Sequence, residues 1–169
     1  MIRPLAAVAI GVLLMTASPA IGQNAADTAA VRAFAAEYEA AWAAKDGGRM
    51  YESSRDDVEW VNIVGMHWRG RGEVVAAHDA FLGAMFRNTP ITFQDIESVR
   101  PIGEDGLVAV LRWSVGSFTT PGGNVVPPSL DRMTLVFERT SQGLRLVHGA
   151  NVQIDQVATA NDPVRRTGD

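Results

Sequence analysis

The sequence of 169 residues has no cysteine, a single lysine at Lys45 and only three histidines. Without cysteine the chain can form neither a disulfide nor a thiolate-bound zinc site, and three scattered histidines do not make a zinc ligand set. A glycine-rich phosphate loop, a dinucleotide-binding fingerprint and an ordered Ser-His-Asp motif are also missing. We therefore expect neither a metal nor an organic cofactor.

Clusters of basic side chains are missing as well. The formal net charge is −4, and the arginines are scattered along the chain. Because proteins that bind nucleic acid concentrate positive charge on one face, this distribution argues against a nucleic-acid partner.

The first 22 residues have the features of an export signal. Arg3 precedes an apolar stretch over residues 5–15, and small residues follow at Ala17-Ser18-Pro19-Ala20. The stretch is too short to span a bilayer. We predict a signal peptide over residues 1–22, a single domain over 23–160 and a flexible tail over 161–169. The mature protein is then expected to be periplasmic or secreted from a bacterium, without a membrane partner.

Two segments show the apolar spacing of amphipathic helices. The first begins after Asp27, a plausible N-cap, and ends near Lys45. The second covers residues 71–87 and places His78 on its apolar side. Between them, residues 58–68 are apolar at both odd and even positions, which predicts a strand that is buried on both faces.

Strand patterns dominate the second half of the sequence. Segments 91–100, 107–118, 130–139 and 144–155 are separated by turn residues rather than helices. Helices followed by consecutive strands predict an α+β fold in which helices cover one face of a curved, mainly antiparallel sheet. A doubly wound parallel sheet would need helices between the last strands.

This order of elements resembles the nuclear transport factor 2-like superfamily, a cone-shaped fold shared with SnoaL-like cyclases and ketosteroid isomerase. Within it the sequence is most similar to the SgcJ/EcaC family. The residues that carry the resemblance are Val61-Asn62, Gly65, Trp68-Arg69-Gly70, His78, Trp42, Asp46, Trp113 and Asn151. The chain departs from the family at the last strand, where a His-Asn or Gln-Asn pair is replaced by Ala150-Asn151.

In such a cone, Asn62 and His78 are expected to face the interior, with Gly70 and Gly72 making the turn between them. Either Asn62 is a donor and acceptor in the pocket, or it satisfies an irregular strand. Either His78 is a general acid or base, or it fills the helix–sheet interface. We take His78 and Asn62 as the candidate catalytic residues.

The last strand offers two further polar candidates, His148 and Asn151. Their spacing puts them on opposite faces, and the pattern does not show which face is concave. An apolar ligand would also need a wall, for which Trp42, Trp60 and Trp113 are candidates although tryptophans of this kind are mostly core residues.

Three functions are compatible with these residues. The first is an exported protein that binds a small apolar or amphipathic molecule in the cone cavity. The second is a cofactor-free isomerase, cyclase or hydrolase that uses His78 as general acid or base. The third is a dimeric interaction module without a ligand. Apolar residues at both parities of the later strands further predict a homodimer through the outer face of the sheet.

Overall fold

The computed structural model describes the backbone of residues 19–164 and the side chains of residues 24–164. The predicted signal peptide lies outside the described residues except for its last four positions, and so does the end of the predicted tail. No helix in the described range is long and apolar enough to cross a membrane.

Helices and strands follow the expected order. Their bounds are α1 Pro19–Ala44, α2 Gly47–Met50, β1 Ser54–Val61, β2 His67–Arg69, α3 Arg71–Gly83, β3 Ile91–Ile102, β4 Gly106–Val115, β5 Phe118–Thr119, β6 Val125–Val126, β7 Ser129–Thr140, β8 Gly143–Gln153 and α4 Gln156–Ala160. The short strands β5 and β6 pair within a segment that the sequence predicts to be a loop.

Six strands form one sheet in the order β2-β1-β8-β7-β4-β3. Neighbouring strands are antiparallel except β1 and β8, which run parallel. The parallel pair joins strands that are separated by most of the chain, including α3, so no tight turn has to connect them. Helices on a mixed, mostly antiparallel sheet confirm the predicted α+β cone.

One face of the sheet, here called the inner face, packs against α1 and α3. Strand β4 shows the two-residue period of a half-buried strand, with Leu107, Ala109, Leu111 and Trp113 buried and the residues between them partly exposed. Strand β7 contributes inner-face residues at the same period, and α1 and α3 present their predicted apolar stripes. The helical residues of this core are Val31, Ala35, Tyr38, Ala41, Trp42, Val74, His78 and Leu82.

The first helix begins earlier than its sequence pattern predicts. Helix α1 starts at Pro19, so Asp27 lies inside it and is not its N-cap. The Asp27 carboxylate is buried and pairs with Arg139 of β7 at 2.7 Å. The prediction rested on the fact that aspartate is common at helix N-caps. It was wrong because the Asp27 carboxylate is satisfied by the tertiary ion pair with Arg139.

The predicted strand over residues 58–68 is instead a hairpin. Strand β1 ends at Val61, and the turn leaves Ile63 39%, Val64 71% and Met66 47% exposed. The expected burial on both faces was wrong here, because Gly65 adopts φ +85° and allows the chain to reverse.

Helix α3 is also shorter than the predicted segment 71–87. It ends at Gly83, where the Arg87 guanidinium donates to the Gly83 carbonyl oxygen at 2.8 and 3.1 Å. A cation that satisfies the last carbonyls is a common way to end a helix.

Candidate functional site

His78 lies on the buried stripe of α3, under β1 and β2. Gly70, with φ +79°, makes the turn from β2 into this helix, as the sequence predicts. The Nδ1 atom of His78 is 2.9 Å from the Val74 carbonyl oxygen, and Nε2 is 2.9 Å from the Tyr51 hydroxyl. Because a carbonyl oxygen only accepts, Nδ1 carries the proton and Nε2 accepts from the Tyr51 hydroxyl.

Aromatic rings enclose the imidazole on its other sides. Ring centroids of Tyr51, Trp60 and Trp68 lie 4.9, 5.5 and 5.5 Å from that of His78. Burial among these rings lowers the pKa of His78 to about 4, since water is not available to solvate the charged form. These four residues, Tyr51, Trp60, Trp68 and His78, are called the closed cluster below.

The closed cluster gives His78 no free nitrogen for a substrate. Both ring nitrogens are engaged by the protein, and the side chain is 8% exposed. The interior position expected from the sequence is present, but the geometry corresponds to the structural alternative of a histidine that fills the helix–sheet interface. Its catalytic role stays a prediction that this geometry does not support.

Asn62 likewise satisfies local structure. Its Oδ1 atom accepts from the backbone N–H groups of Val64 at 3.1 Å and Met66 at 2.8 Å, closing the β1–β2 turn. The side chain thus takes the alternative in which it satisfies an irregular strand. The described hydrogen bonds of Asn62 do not reach His78, and a catalytic role for Asn62 stays a prediction.

Trp42 and Trp60 are packed in the core. The indole Nε1 of Trp42 donates to the Thr89 carbonyl oxygen at 2.8 Å. Trp60 stacks on Tyr38 with centroids 6.2 Å apart, and its ring fills the space that a side chain at Gly149 would need. Both side chains are part of the buried core, and their contact with a ligand stays a prediction.

The sheet register decides between the two candidates of the last strand. His148 pairs with Glu59 and Val136, which belong to the outer face. Asn151 pairs with buried Met133, so it lies on the inner face. Directly opposed residues share a face. Hence the two are on opposite faces, as expected, and the inner face belongs to Asn151.

Two polar atoms on this inner face have no partner. Trp113 Nε1 and Asn151 Oδ1 are both buried and without a hydrogen bond in the described chain. One is a donor and the other an acceptor, and each orphaned buried group costs about 1–3 kcal/mol relative to a satisfied one. A bound molecule or water that pairs with both would recover that cost.

Asp131 of β7 lies between these two residues and was not among the sequence candidates. Its cross-strand partner is Trp113, and Asn151 is its diagonal neighbour, two residues before its other partner Gln153. The carboxyl group is 6% exposed and accepts from the Ser129 hydroxyl at 2.8 Å. Burial raises its pKa, because the charged carboxylate is poorly solvated there, and the hydrogen bond from Ser129 acts in the opposite direction.

Trp113, Asp131 and Asn151 are called the unpaired cluster. Asn151 is only half-buried, and so are the neighbouring residues Phe93 and Ser129, so the cluster is partly accessible to solvent. A sequence signal for Asp131 did exist: it shares the parity of Met133, Leu135 and Phe137, the buried positions of β7.

Two clefts lie elsewhere on the surface. One, of about 520 Å³, is lined by ion-pairing residues such as Arg55 and Glu138, and the other, of about 330 Å³, lies beside Thr89 and Phe118. Neither is lined by a residue proposed from the sequence, and the expected cavity around Asn62 and His78 stays a prediction. Among residues 24–164, no group of three acidic or histidine side chains could hold a metal ion.

Known structures share this architecture. An uncharacterized protein with a cystatin-like fold from Caulobacter vibrioides is 35% identical, with 83% of this chain and 99% of that chain aligned at a TM-score of 0.78. An NTF2-like protein with a cystatin-like fold from Novosphingobium aromaticivorans is 20% identical, with 84% and 91% covered and a TM-score of 0.63.

A ketosteroid isomerase-like protein from Erwinia carotovora atroseptica is 17% identical, with 76% of this chain and 97% of that chain covered at a TM-score of 0.57. The last two similarities show the fold alone. Neither a protein-family model nor a curated protein matches the sequence.

Proposed function

The chain belongs to the nuclear transport factor 2-like superfamily, and from that premise we propose that it binds a small amphipathic molecule at the unpaired cluster on the inner face of its sheet. The observation that carries the proposal is the pair of orphaned atoms, Trp113 Nε1 and Asn151 Oδ1. Assignment to the SgcJ/EcaC family within this superfamily stays a prediction.

The surroundings of the cluster suit an amphipathic ligand. Trp113 packs against Tyr38 and Phe93, with ring centroids 5.7 and 5.4 Å away, so the apolar surface there is aromatic. The polar atoms are few and lie on neighbouring strands. Few convergent polar groups on an apolar wall are typical of small-molecule sites.

Binding can be tested with a library of small aromatic compounds observed by protein NMR. Ligands should shift the Trp113 indole N–H resonance and leave that of Trp42 unchanged, because the Trp42 N–H already donates to Thr89. Trp113→Phe should then weaken binding while Trp42→Phe does not. A library that shifts neither indole, or shifts both equally, would argue against a site at this cluster.

A second candidate function is cofactor-free acid–base catalysis with Asp131, rather than His78, as the proton acceptor. The supporting observation is a buried carboxyl group whose pKa is raised by burial, which makes its carboxylate a stronger base than an exposed one. If a library ligand is converted to product, Asp131→Asn should abolish turnover while His78→Gln retains it. Turnover lost only in the His78 variant would restore the original assignment.

We further propose that the protein is a homodimer through the outer face. Val108, Val110, Val136 and Ala150 form a half-buried apolar centre there. Ion pairs flank this centre, with Arg132–Glu97 at 2.6 Å on one side and Arg55–Glu138 at 2.9 Å on the other. An apolar centre with a polar rim is the usual anatomy of an interface.

Light scattering at high micromolar concentration should give twice the chain mass, and Val110→Glu should give the monomer. A monomeric wild type would contradict the dimer. If the protein is a dimer and no library compound shifts the Trp113 indole N–H resonance, the result would favour an interaction module without a ligand.

Export stays part of the proposal. Its support is the charged start and apolar stretch of residues 1–22. Mass spectrometry of protein from the native host should find a new N-terminus near residues 20–23, and an intact Met1 in the mature protein would contradict it.

A further inference from the structure

We propose that the molecule bound at the unpaired cluster is an organic amine, whose ammonium group pairs with Asp131 and Asn151 and whose aromatic ring packs against Trp113. This inference rests on the proposed binding function and names the chemical class of its ligand. It follows from three features of the cluster: its oxygen acceptors, a carboxyl group that has no ion-pair partner in the described chain, and the aromatic rings around that group.

Two residues of the cluster present oxygen acceptors to a ligand. Asp131 offers two carboxyl oxygens, of which only Oδ1 accepts a bond within the described chain, from Ser129. Asn151 adds its orphaned Oδ1 on a diagonally adjacent position of the same face. An ammonium group carries three N–H donors and no acceptor, so it can satisfy both residues at once. A neutral hydroxyl has one proton and can satisfy only one of them.

Among residues 24–164, no arginine, lysine or histidine forms an ion pair with this carboxyl group. Asp131 is buried, yet the arginines nearest to it in the sheet, Arg112 and Arg132, sit at outer-face positions and bond to Glu97 there. On α1, the Arg32 guanidinium lies over the ring of Phe93 at 5.6 Å, and the Glu39 carboxylate accepts from the Phe93 N–H. A buried carboxylate without a counter-ion is complementary to a ligand that brings one.

The surrounding rings favour the same class. Trp113 is the side chain directly across from Asp131, and Tyr38 and Phe93 pack against its indole. Aromatic faces attract a cation through the ring quadrupole, most strongly for tryptophan. The orphaned Trp113 N–H additionally calls for an acceptor. An arylalkylamine that also carries an ether or carbonyl oxygen would satisfy all three residues.

A matched series of probes tests the charge of the ligand. 2-Phenoxyethylamine, 2-phenoxyethanol and phenoxyacetate share a ring and an ether oxygen and are cationic, neutral and anionic at pH 7. Binding to the full-length protein is measured by calorimetry and by the shift of the Trp113 indole N–H. We expect the amine to bind at least about tenfold more tightly than the alcohol, and the acid to bind most weakly.

Two variants locate the effect. Asp131→Asn keeps the shape of the side chain and should remove the preference for the amine. Glu97→Gln is the matched control, because it neutralises a carboxylate of the same sheet, on strand β3 and the outer face, and should leave the preference intact. If Asp131→Asn does not fold, Asn151→Ala should still reduce the preference, since it removes the second acceptor.

The outcomes separate this inference from the function on which it rests. The alcohol could shift the Trp113 indole N–H resonance as strongly as the amine does, with Asp131→Asn changing the affinity for neither compound. In that case the assignment of the ligand as an amine is wrong, while the proposed binding at the unpaired cluster holds. If an amine preference persists in Asp131→Asn, the preference comes from another site and the inference is overturned. If no probe binds at millimolar concentration, both the inference and binding of such molecules fail together.

Discussion

The closed cluster and the unpaired cluster lie on the same face of one sheet, yet they differ in whether their buried polar atoms have hydrogen-bond partners. In the closed cluster, the Tyr51 hydroxyl and the Val74 carbonyl satisfy both nitrogens of His78. In the unpaired cluster, Trp113 Nε1 and Asn151 Oδ1 have no partner, and Asp131 has one bond from Ser129. Tyr38 contacts both, since its ring packs against Trp60 and Trp113.

This difference shows how a buried polar residue can be assigned a role. A histidine in an aromatic interior draws notice in the sequence, but its hydrogen bonds are complete and its pKa is lowered by burial to about 4. Both of its ring nitrogens are already engaged in hydrogen bonds that belong to the fold. Unsatisfied groups keep a free energy that only a further molecule can recover, so they are the better guide to binding.

The largest expected effect is steric and falls on the closed cluster. In Gly149→Ala the new Cβ would overlap the Trp60 ring, which is 1% exposed and held between Tyr38 and the His78 imidazole. We expect a loss of about 3 kcal/mol in the free energy of unfolding. Gly83→Ala is the control, because nothing lies within 4 Å of its Cβ position. Equal stability of the two variants in urea would contradict this packing.

The next effect is the pH dependence that His78 imposes. Its folded pKa of about 4 lies below the ordinary histidine pKa of 6.5, so the unfolded chain takes up the proton first as the pH falls. Stability present above pH 6.5 should therefore be lost progressively towards pH 4, by roughly 3 kcal/mol. His78→Gln should remove this loss between the two pH values.

His148→Gln is the control for the acid effect, since it changes an outer-face histidine and keeps His78. Urea denaturation at pH 7 and pH 4.5 measures both variants. If His78→Gln retains the full acid-induced loss, other groups cause it and the closed cluster is not the titrating element.

A smaller effect compares the two tryptophans directly. Trp42→Phe and Trp113→Phe remove the same atoms, but only the Trp42 N–H has a partner, the Thr89 carbonyl oxygen. Trp42→Phe should therefore cost about 1 kcal/mol more in the free energy of unfolding. Thermal or urea unfolding measures the difference, and a larger cost at Trp113 would mean that its N–H is satisfied in solution.

The smallest expected change has the opposite sign. Burial raises the pKa of Asp131, so its contribution to stability is fully present below the unfolded pKa and is lost as the pH rises through the folded value. Asp131→Asn never ionises and should be more stable than the wild type at pH 7, by on the order of 1 kcal/mol. The gain should shrink at acid pH. A less stable variant at pH 7 would show that the carboxylate has a counter-ion.

Much of the fold could be predicted because its signals are periodic. The apolar stripes of α1 and α3 and the alternation in β4 reflect burial of one face, which repeats with the geometry of the element. Boundaries were less accurate where a tertiary contact or a turn intervened, as at Asp27 and at the β1–β2 hairpin. Those positions depend on Arg139 and on the Asn62 turn, and neither contact has a periodic signal.

The candidate site was only partly predictable. Trp113 and Asn151 were among the sequence candidates, whereas Asp131 was missed because an acidic residue next to Arg132 in a strand is ordinarily exposed. Asn62 and His78 received catalytic assignments on their residue types, and their hydrogen bonds with Val64, Met66, Val74 and Tyr51 became apparent only in three dimensions.

The sequence by itself determined the class of fold, the buried faces of its elements and the opposite orientations of His148 and Asn151, because each follows from local periodicity. Tertiary structure alone decided which face of β8 is the inner one, since that depends on pairing with β7 and β1. It also decided which polar atoms are satisfied. Hydrogen bonding joins residues far apart in the chain, and no local pattern shows whether a buried donor such as Trp113 Nε1 finds its acceptor.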